Sequence, residues 1–441
     1  MQVVLVGGGH IGLPTALSFA RNGRRCVVHD TDAARIAALA EGRIPFFEPG
    51  LDELIAAEVA AGRIVGTTDP TEAYRGADVA FICVDTPMGP DGHADLRALL
   101  NAAETIAATA PAGIVAVTKS TVPLGTGERL RALFAERGAD VAVASNPEFL
   151  QEGLALQEAL APTRILVGSD APRALELLRE LYAPFVAAGT AWVETDLATA
   201  ELTKYASNAF LAMKISYANA LAEICEAVGA DVGTLTGTLG LDPRIGPGHL
   251  QPGIGYGGGC LSKDLSALRS TLAELGLKVG LLDEVEAINE RALGAVLGKV
   301  REGLGDLRGR RVTLLGLAFK PGTDDVRMAP ALRLASALLD AGAIVTGYDP
   351  EAGPNAVREL TALRVEDDPV RAVEGAECAV VCTEWEQIRA LDPARLRGAM
   401  ARPFVVDGRG ALDAAAFAAA GVEVVSVGRP AADRTAEGIL T

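Results

Sequence analysis

The chain writes one pattern twice. Residues 1–32 run through VVLVGGGHIG, an amphipathic stretch and RRCVVHDTD; from residue 309 the order returns as GRRVTLLGLAFKPGTDD, an amphipathic stretch and GAIVTGYDP. Each copy reads strand, glycine-rich turn, helix, strand, acidic residue. Neighbouring parallel strands need a crossover of a dozen or more residues, and a helix is the usual one. Around the first copy, VAFICVD, GIVAVTKS and VAVASNPEF continue the strand–helix alternation; around the second, CAVVCTEW and PFVVDGRG do so. Alternation of this kind predicts α/β architecture with a doubly wound parallel sheet at each end, related by a diverged duplication.

The middle breaks the alternation. LATAELTKYASNAFLAMKISYANALAEICEAVG contains neither glycine nor proline before Gly229, and its apolar residues recur at helical spacing. We expect one helix about 50 Å long, the spine of a central helical domain and a dimer interface. More helix is expected from about 264 to 302. The divisions are 1–195, 196–303 and 304–441.

Composition narrows the partners. A net charge of −17 argues against nucleic acid or an anionic membrane surface. No apolar run reaches about 18 residues, so no membrane span is expected. Six cysteines are scattered without metal-binding spacing, which predicts no metal site and a reducing, cytoplasmic setting. Cys378 and Cys382 fall in CAVVC and read as a buried strand. The four histidines, His10, His29, His93 and His249, stand in no triad-like context.

Gly7, Gly9 and Gly12, enclosing His10 and Ile11, follow the first strand and open a helix. Such glycines permit the tight turn and let backbone approach a pyrophosphate at the helix N-terminus. Asp30 ends the second strand, 18 residues past Gly12. A carboxylate there accepts from a ribose diol and repels a 2′-phosphate, so NAD is the expected cofactor of a Rossmann-like first domain, with Arg35 over the adenine. The second copy has lost the fingerprint and offers Lys320, with Arg409 nearby, to an anion.

A third segment is harder to explain as packing. Gln251–Asp264 reads QPGIGYGGGCLSKD, with glycines crowded ahead of Cys260 and Lys263 and Asp264 directly after it. Read as an irregular loop, it holds a thiol beside backbone donors and a cation, the setting of a nucleophilic thiolate. Lys204 and Asn208 lie one turn apart on the spine and present an ammonium and a carboxamide to one face, a donor pair for an oxyanion. From spacing alone a capped or solvated polar face is the better reading; against it, Leu211 and Ile215 continue the stripe and point to a covered face. Asp264 and Glu152 are the better proton handlers. NPEFLQEG, with Glu148 and Glu152, and STVPLGT, with Thr121, end strands on the side where open α/β sheets bind ligands.

Taken in order, GGGHIGLP, RIPFFEPGL, VDTP, KSTVPLGT, NPEFLQEG, ELTKYASNAFLAMKISYAN, DPRIG, GYGGGCLSKD, GLAFKPGTDDVR and VVDGRG closely resemble the UDP-glucose/GDP-mannose 6-dehydrogenase family from end to end. The resemblance implies four-electron oxidation of a nucleotide sugar's C6 alcohol to a carboxylate, using two NAD+. It implies that Cys260 forms a thiohemiacetal and then a thioester, with Lys204 and Asn208 on the oxyanions. Asp264 with Thr121 would hold a proton-accepting water, and Glu152 would assist hydrolysis. Thr86, Thr121, Glu152, Lys263 and Arg327 match cofactor positions. Glu148, Phe149, Leu150, Glu152, Lys204, Asn208, Gln251, Gly255, Tyr256, Gly257, Phe319, Lys320 and Arg409 match positions around the nucleotide sugar, and Arg244 the arginine that reaches it across a homodimer. Gly259, Ala220 and Ala329 depart from the residues usual in the family.

Base and sugar stereochemistry stay open: GDP-mannose or a dTDP-sugar is an alternative to UDP-glucose. A two-electron β-hydroxyacid dehydrogenase would leave Cys260 and the second sheet without a task. A silent nucleotide-sugar sensor would have no use for Cys260, Lys204, Asn208 and Asp264.

Overall fold

The computed structural model describes residues 1–89 and 92–429. The chain forms two compact units, residues 1–207 with 266–277, and residues 208–265 with 278 onward.

The first unit is built on eight strands: β1 Gln2–Val6, β2 Arg25–His29, β3 Ile64–Thr67, β4 Val79–Ile82, β5 Val115–Thr118, β6 Ala142–Ser145, β7 Arg164–Gly168 and β8 Ala191–Thr195, in the order 3-2-1-4-5-6-7-8. Both faces are covered. Val3 and Leu5 enter one apolar cluster with Val28 and Phe81, while Val4 and Val6 enter another with Val27 and Ile82. Burial on both faces is why these strands are unbroken apolar runs rather than alternating ones.

The doubly wound parallel sheet is as expected, with one junction that runs the other way. β6 meets β7 antiparallel through the single pair Ser145 and Gly168. The link between them carries only the short helix Ala155–Leu160. It makes no full crossover, and an antiparallel neighbour needs none.

The second unit carries β9 Arg311–Leu315, β10 Ile344–Tyr348, β11 Arg364–Glu366, β12 Cys378–Val381, β13 Phe404–Asp407 and β14 Glu423–Ser426, all parallel, in the order 11-10-9-12-13-14. That order repeats β3-β2-β1-β4-β5-β6 strand for strand. Cys378 and Cys382 are buried on and just after β12.

The expected spine is the 32-residue helix Leu197–Val228, about 48 Å long at 1.5 Å per residue, and it ends before Gly229 with φ +75°. At its start buried Glu201 accepts from the amides of Gly125 and Gly127 at 2.8 and 2.6 Å, seating the first turn of the helix Thr126–Glu136 on a carboxylate.

A short helix, Val232–Gly240, comes next, and two expectations about the helix after the glycine segment fail. It begins at Gly258, not near 264, so Cys260 sits in a helical first turn and not in an irregular loop. Glycines at a helix start spare the interior of the helix their entropic cost. The helix also stops at Glu274, with Gly276 at φ +69° behind it, and a second helix, Gly280–Leu304, takes over.

Candidate active site

In the first unit the turn after β1 is shaped by contact. A Cβ on Gly12 would lie 1.9 Å from the Gly7 carbonyl oxygen, so only hydrogen fits; at Gly9 nothing stands within 4 Å. Asp30, buried, accepts from the amides of Gly8 at 2.8 Å and Asp32 at 2.9 Å. Arg35 is turned to this carboxylate at 3.3 Å, an ion pair the sequence did not announce. His10 stacks on Phe46 at 4.0 Å, and the Thr86 hydroxyl donates to the Thr121 carbonyl at 2.7 Å, joining two strand-end loops. A cleft of about 600 Å³ opens here, lined by Gly7, Gly9, Asp30 and Arg35 among others. Open space over Gly9 and a carboxylate at the end of β2 fit a dinucleotide: backbone for the pyrophosphate, Asp30 for the ribose.

The same unit holds a buried polar cluster. Lys204 pairs with Glu148 at 2.8 Å, both side chains almost fully enclosed. The second Glu148 oxygen accepts from the Leu150 amide. Phe149 lies under the Arg164 guanidinium at 3.8 Å and within 5.6 Å of the Lys204 ammonium. Buried Glu48 accepts from the Gly153 amide at 2.7 Å, anchoring the loop that carries Glu152. Lys119 donates to Asn146 Oδ1 at 3.0 Å, and Tyr182 donates to the same oxygen at 2.6 Å. Burial pushes the Lys119 ammonium down to about 8, against the opposing pull of the Glu148 carboxylate.

In the second unit the glycine segment is clamped rather than loose. Asn219 on the long helix accepts from the Gly253 amide at 2.7 Å; Asn289 accepts from the Tyr256 amide at 2.7 Å and donates to its carbonyl at 3.2 Å. Gly255, at φ +100°, would drive a Cβ to 2.7 Å from Asn289 Oδ1, and Gly258, at φ +83°, to 2.8 Å from the Phe319 ring. Backbone and ring therefore approach as only glycine allows. The helix behind delivers exposed Cys260 in its first turn, where its N–H groups favour negative charge. One turn on, Asp264 is buried, accepts from Asn208 Nδ2 at 2.6 Å and pairs with Lys263. The cation expected beside the thiol is thus engaged with Asp264.

At the carboxyl ends of the second sheet Arg409 donates to the carbonyls of Cys382 at 2.8 Å and Phe319 at 3.2 Å, which brings it to the segment bearing Lys320. Arg327 is held in a bidentate pair with Asp325. A cavity of about 270 Å³ is lined by Gln251, Arg389, Arg409 and Arg429, a local excess of cations in an acidic chain. Arg244 stays apart from these groups, its side chain 87% exposed and paired with Asp242.

Three family models match in succession: the UDP-glucose/GDP-mannose dehydrogenase family NAD binding domain over residues 1–186, its central domain over 198–291 and its UDP binding domain over 313–414. The chain is 44% identical to the UDP-glucose 6-dehydrogenase of Rhizobium meliloti over 98% of this chain and 100% of that one. The chain belongs to the UDP-glucose/GDP-mannose dehydrogenase family. It is also 40% identical to the Pseudomonas aeruginosa UDP-glucose 6-dehydrogenase, with 98% of each covered. Among solved structures, a UDP-glucose dehydrogenase from Pyrobaculum islandicum superimposes with a TM-score of 0.88 at 36% identity, covering 94% of this chain and 95% of that one.

The sheet topology agrees with this family, and NAD is the cofactor its amino-terminal domain binds. The clamp residues Asn289 and Glu48 and the buried trio Lys119, Asn146 and Tyr182 escaped the reading from sequence. Each acts through a partner far along the chain, and its sequence neighbours carry no signal of what it will meet. Among the described residues no helix is long and apolar enough to cross a membrane.

Proposed function

We propose that the chain is a cytoplasmic UDP-glucose 6-dehydrogenase that converts the C6 alcohol to the carboxylate in two oxidations on one cysteine. Residues 1–195 serve NAD, 196–303 the chemistry and the homodimer contact, and 304–441 the nucleotide sugar. The observation that carries this reading is Cys260, presented in a helical first turn by a glycine segment that Asn219 and Asn289 hold from two helices.

NAD, when bound, supplies the hydride acceptor for both oxidations. After the first, Cys260 Sγ bonds to C6 of the aldehyde and gives a thiohemiacetal; loss of the second hydride leaves a thioester; water cleaves it, releasing the acid and the thiol. Lys204 and Asn208 stabilise the oxyanions, and Asp264 with Thr121 holds the water that takes the proton. Glu152 assists hydrolysis. Gly7, Gly9, His10, Ile11, Gly12, Asp30, Arg35 and Thr86 hold the cofactor, joined by Lys263 and Arg327. Glu148, Phe149, Leu150, Gln251, Gly255, Tyr256, Gly257, Phe319, Lys320 and Arg409 receive the nucleotide sugar, with Arg244 supplied by a second copy. Phe210, Tyr217 and Ile224, seven residues apart and 57%, 55% and 55% exposed, form an apolar stripe on the long helix that supports the dimer.

Purified protein given UDP-glucose should form about two NADH per sugar, with GDP-mannose and dTDP-glucose turned over far more slowly. Cys260→Ser should form no acid. One NADH with a free aldehyde would contradict the covalent route, and a preference for GDP-mannose would move the substrate assignment.

A further inference from the structure

Lys119 is a buried ammonium for which the chemistry above has no use. It follows β5, is 8% exposed, and lines a small cavity of about 80 Å³ together with Asn146, Glu148, Phe149 and Tyr182. A buried ammonium is costly unless hydrogen-bonded and compensated. Its donor contact is Asn146 Oδ1, and Asn146 in turn donates to the Leu166 carbonyl on β7 at 2.8 Å. Asn146 opens the turn Asn146–Leu150, whose Glu148 grips Lys204. The ionisable groups around Lys119 are Cys83 beyond β4, Glu148 on the turn, Tyr182 on the helix Pro172–Ala187 and Lys204 on the long helix, and Glu158 and Arg164 line the same cavity. Cys83 and Tyr182 are pushed up by burial and stay neutral near pH 8. Of the groups whose charge acts on Lys119, Glu148 is then the one carboxylate and Lys204 the second ammonium.

We propose that Lys119 is a positioning residue: through Asn146 it fixes the turn that carries Glu148, and with it the place and charge of Lys204. The inference rests on the role given to Lys204 above. While Lys119 keeps its proton, Asn146 Oδ1 is held by a charged donor, the stronger kind. Above about pH 8 the ammonium is lost, the hold weakens, and the turn loosens at Lys204. Arginine at this place stays charged throughout that range.

The test is the pH profile of kcat for Lys119→Met and Lys119→Arg, each checked for folding by thermal unfolding. The wild-type kcat should fall above about pH 8; Lys119→Met should lose about tenfold or more in kcat, with a smaller change in KM, and should lack that fall. Lys119→Arg should recover much of the rate and carry the fall to higher pH. A Lys119→Met enzyme that melts earlier yet keeps the wild-type kcat and profile would reduce Lys119 to a structural role and overturn the proposal. Lys204→Ala in the same assay separates the two readings. Full activity there removes the ground the proposal stands on, whereas an inert Lys204→Ala beside an unchanged Lys119→Met profile removes Lys119 alone.

Discussion

The two sheets share a strand order but treat the same place in opposite ways. In each, a glycine after the first strand donates its amide to the end of the second: Gly7 to His29 at 2.9 Å, Gly316 to Tyr348 at 2.7 Å. In each, an aspartate follows, Asp30 or Asp349. Asp30 accepts from two amides and Arg35, beside open space over Gly9. Asp349 is saturated. It accepts from the amides of Leu317, Ala318, Glu351 and Ala352 and from the Trp385 indole. Leu317 and Ala318 stand where the first copy has Gly8 and Gly9, and both are buried. One copy keeps a cradle for a ligand; the other has filled it with its own side chains and turned the carboxylate into a structural fastener. The fifth strand diverges too. Lys119 follows β5 where Gly408 follows β13, and the Gly408 carbonyl receives the Ile254 amide of the glycine segment at 3.0 Å. A duplicated scaffold can give up one function only by satisfying the groups that the lost ligand would have met.

Asp349→Ala attacks the filled copy and carries the largest expected effect. It strands four backbone donors and an indole, four of the five on buried residues, and should cost roughly 3–5 kcal/mol. The chain has two tryptophans, Trp192 and Trp385, so urea unfolding followed by Trp385 fluorescence in a Trp192→Phe background reads the second sheet. NAD affinity should stay put. Unchanged stability with weakened NAD binding would mean that Asp349 is still a ligand residue and the comparison is wrong.

Asp30→Ala is the mirror experiment. Fewer donors depend on this carboxylate, so the stability cost should be about 1–2 kcal/mol. The loss should fall on binding instead, with the Kd for NAD rising about 10–100-fold by calorimetry. A protein that unfolds like Asp349→Ala, or binds NAD as before, would erase the distinction between an open and a filled copy.

This division was half legible in the sequence. The strands that were readable, β1, β2 and β4 to β6 with β9, β10, β12 and β13 in the second sheet, are mostly buried and spell largely apolar runs. β8 escaped because most of it is exposed, and β11 because it is three residues long and charged at both ends. Gly7, Gly9, Gly12 and Asp30 were legible because glycine leaves a mark wherever backbone must come close. Asp349 was legible as a residue but not as a fastener, since Trp385 lies 36 positions away. The start of the helix at Gly258 was hidden by the same glycines that drew the eye to Cys260: their density reads as irregular backbone, and only the contacts with Phe319 and Asn289 show that they serve close packing.

The smallest difference lies one residue before each aspartate, where the first sheet has His29 and the second Tyr348. His29 is buried against Tyr74 at 5.9 Å between ring centres. Burial pulls its imidazole below the ordinary value of 6.5, while a hydrogen bond to the Thr68 backbone and the charges of Asp30 and Asp69 pull the other way. A base whose folded value is lowered is protonated first in the unfolded chain, so stability falls as pH drops below 6.5 and is whole above it. Tyr348, raised by burial, does not titrate in that range. His29→Tyr, which gives the first sheet the residue of the second, should therefore flatten the decline in melting temperature between pH 6.5 and 5 and leave the value at pH 8 nearly unchanged. Wild type and variant declining in parallel would show that the acid sensitivity comes from elsewhere, and that histidine and tyrosine are equivalent fillers at this step of the two sheets.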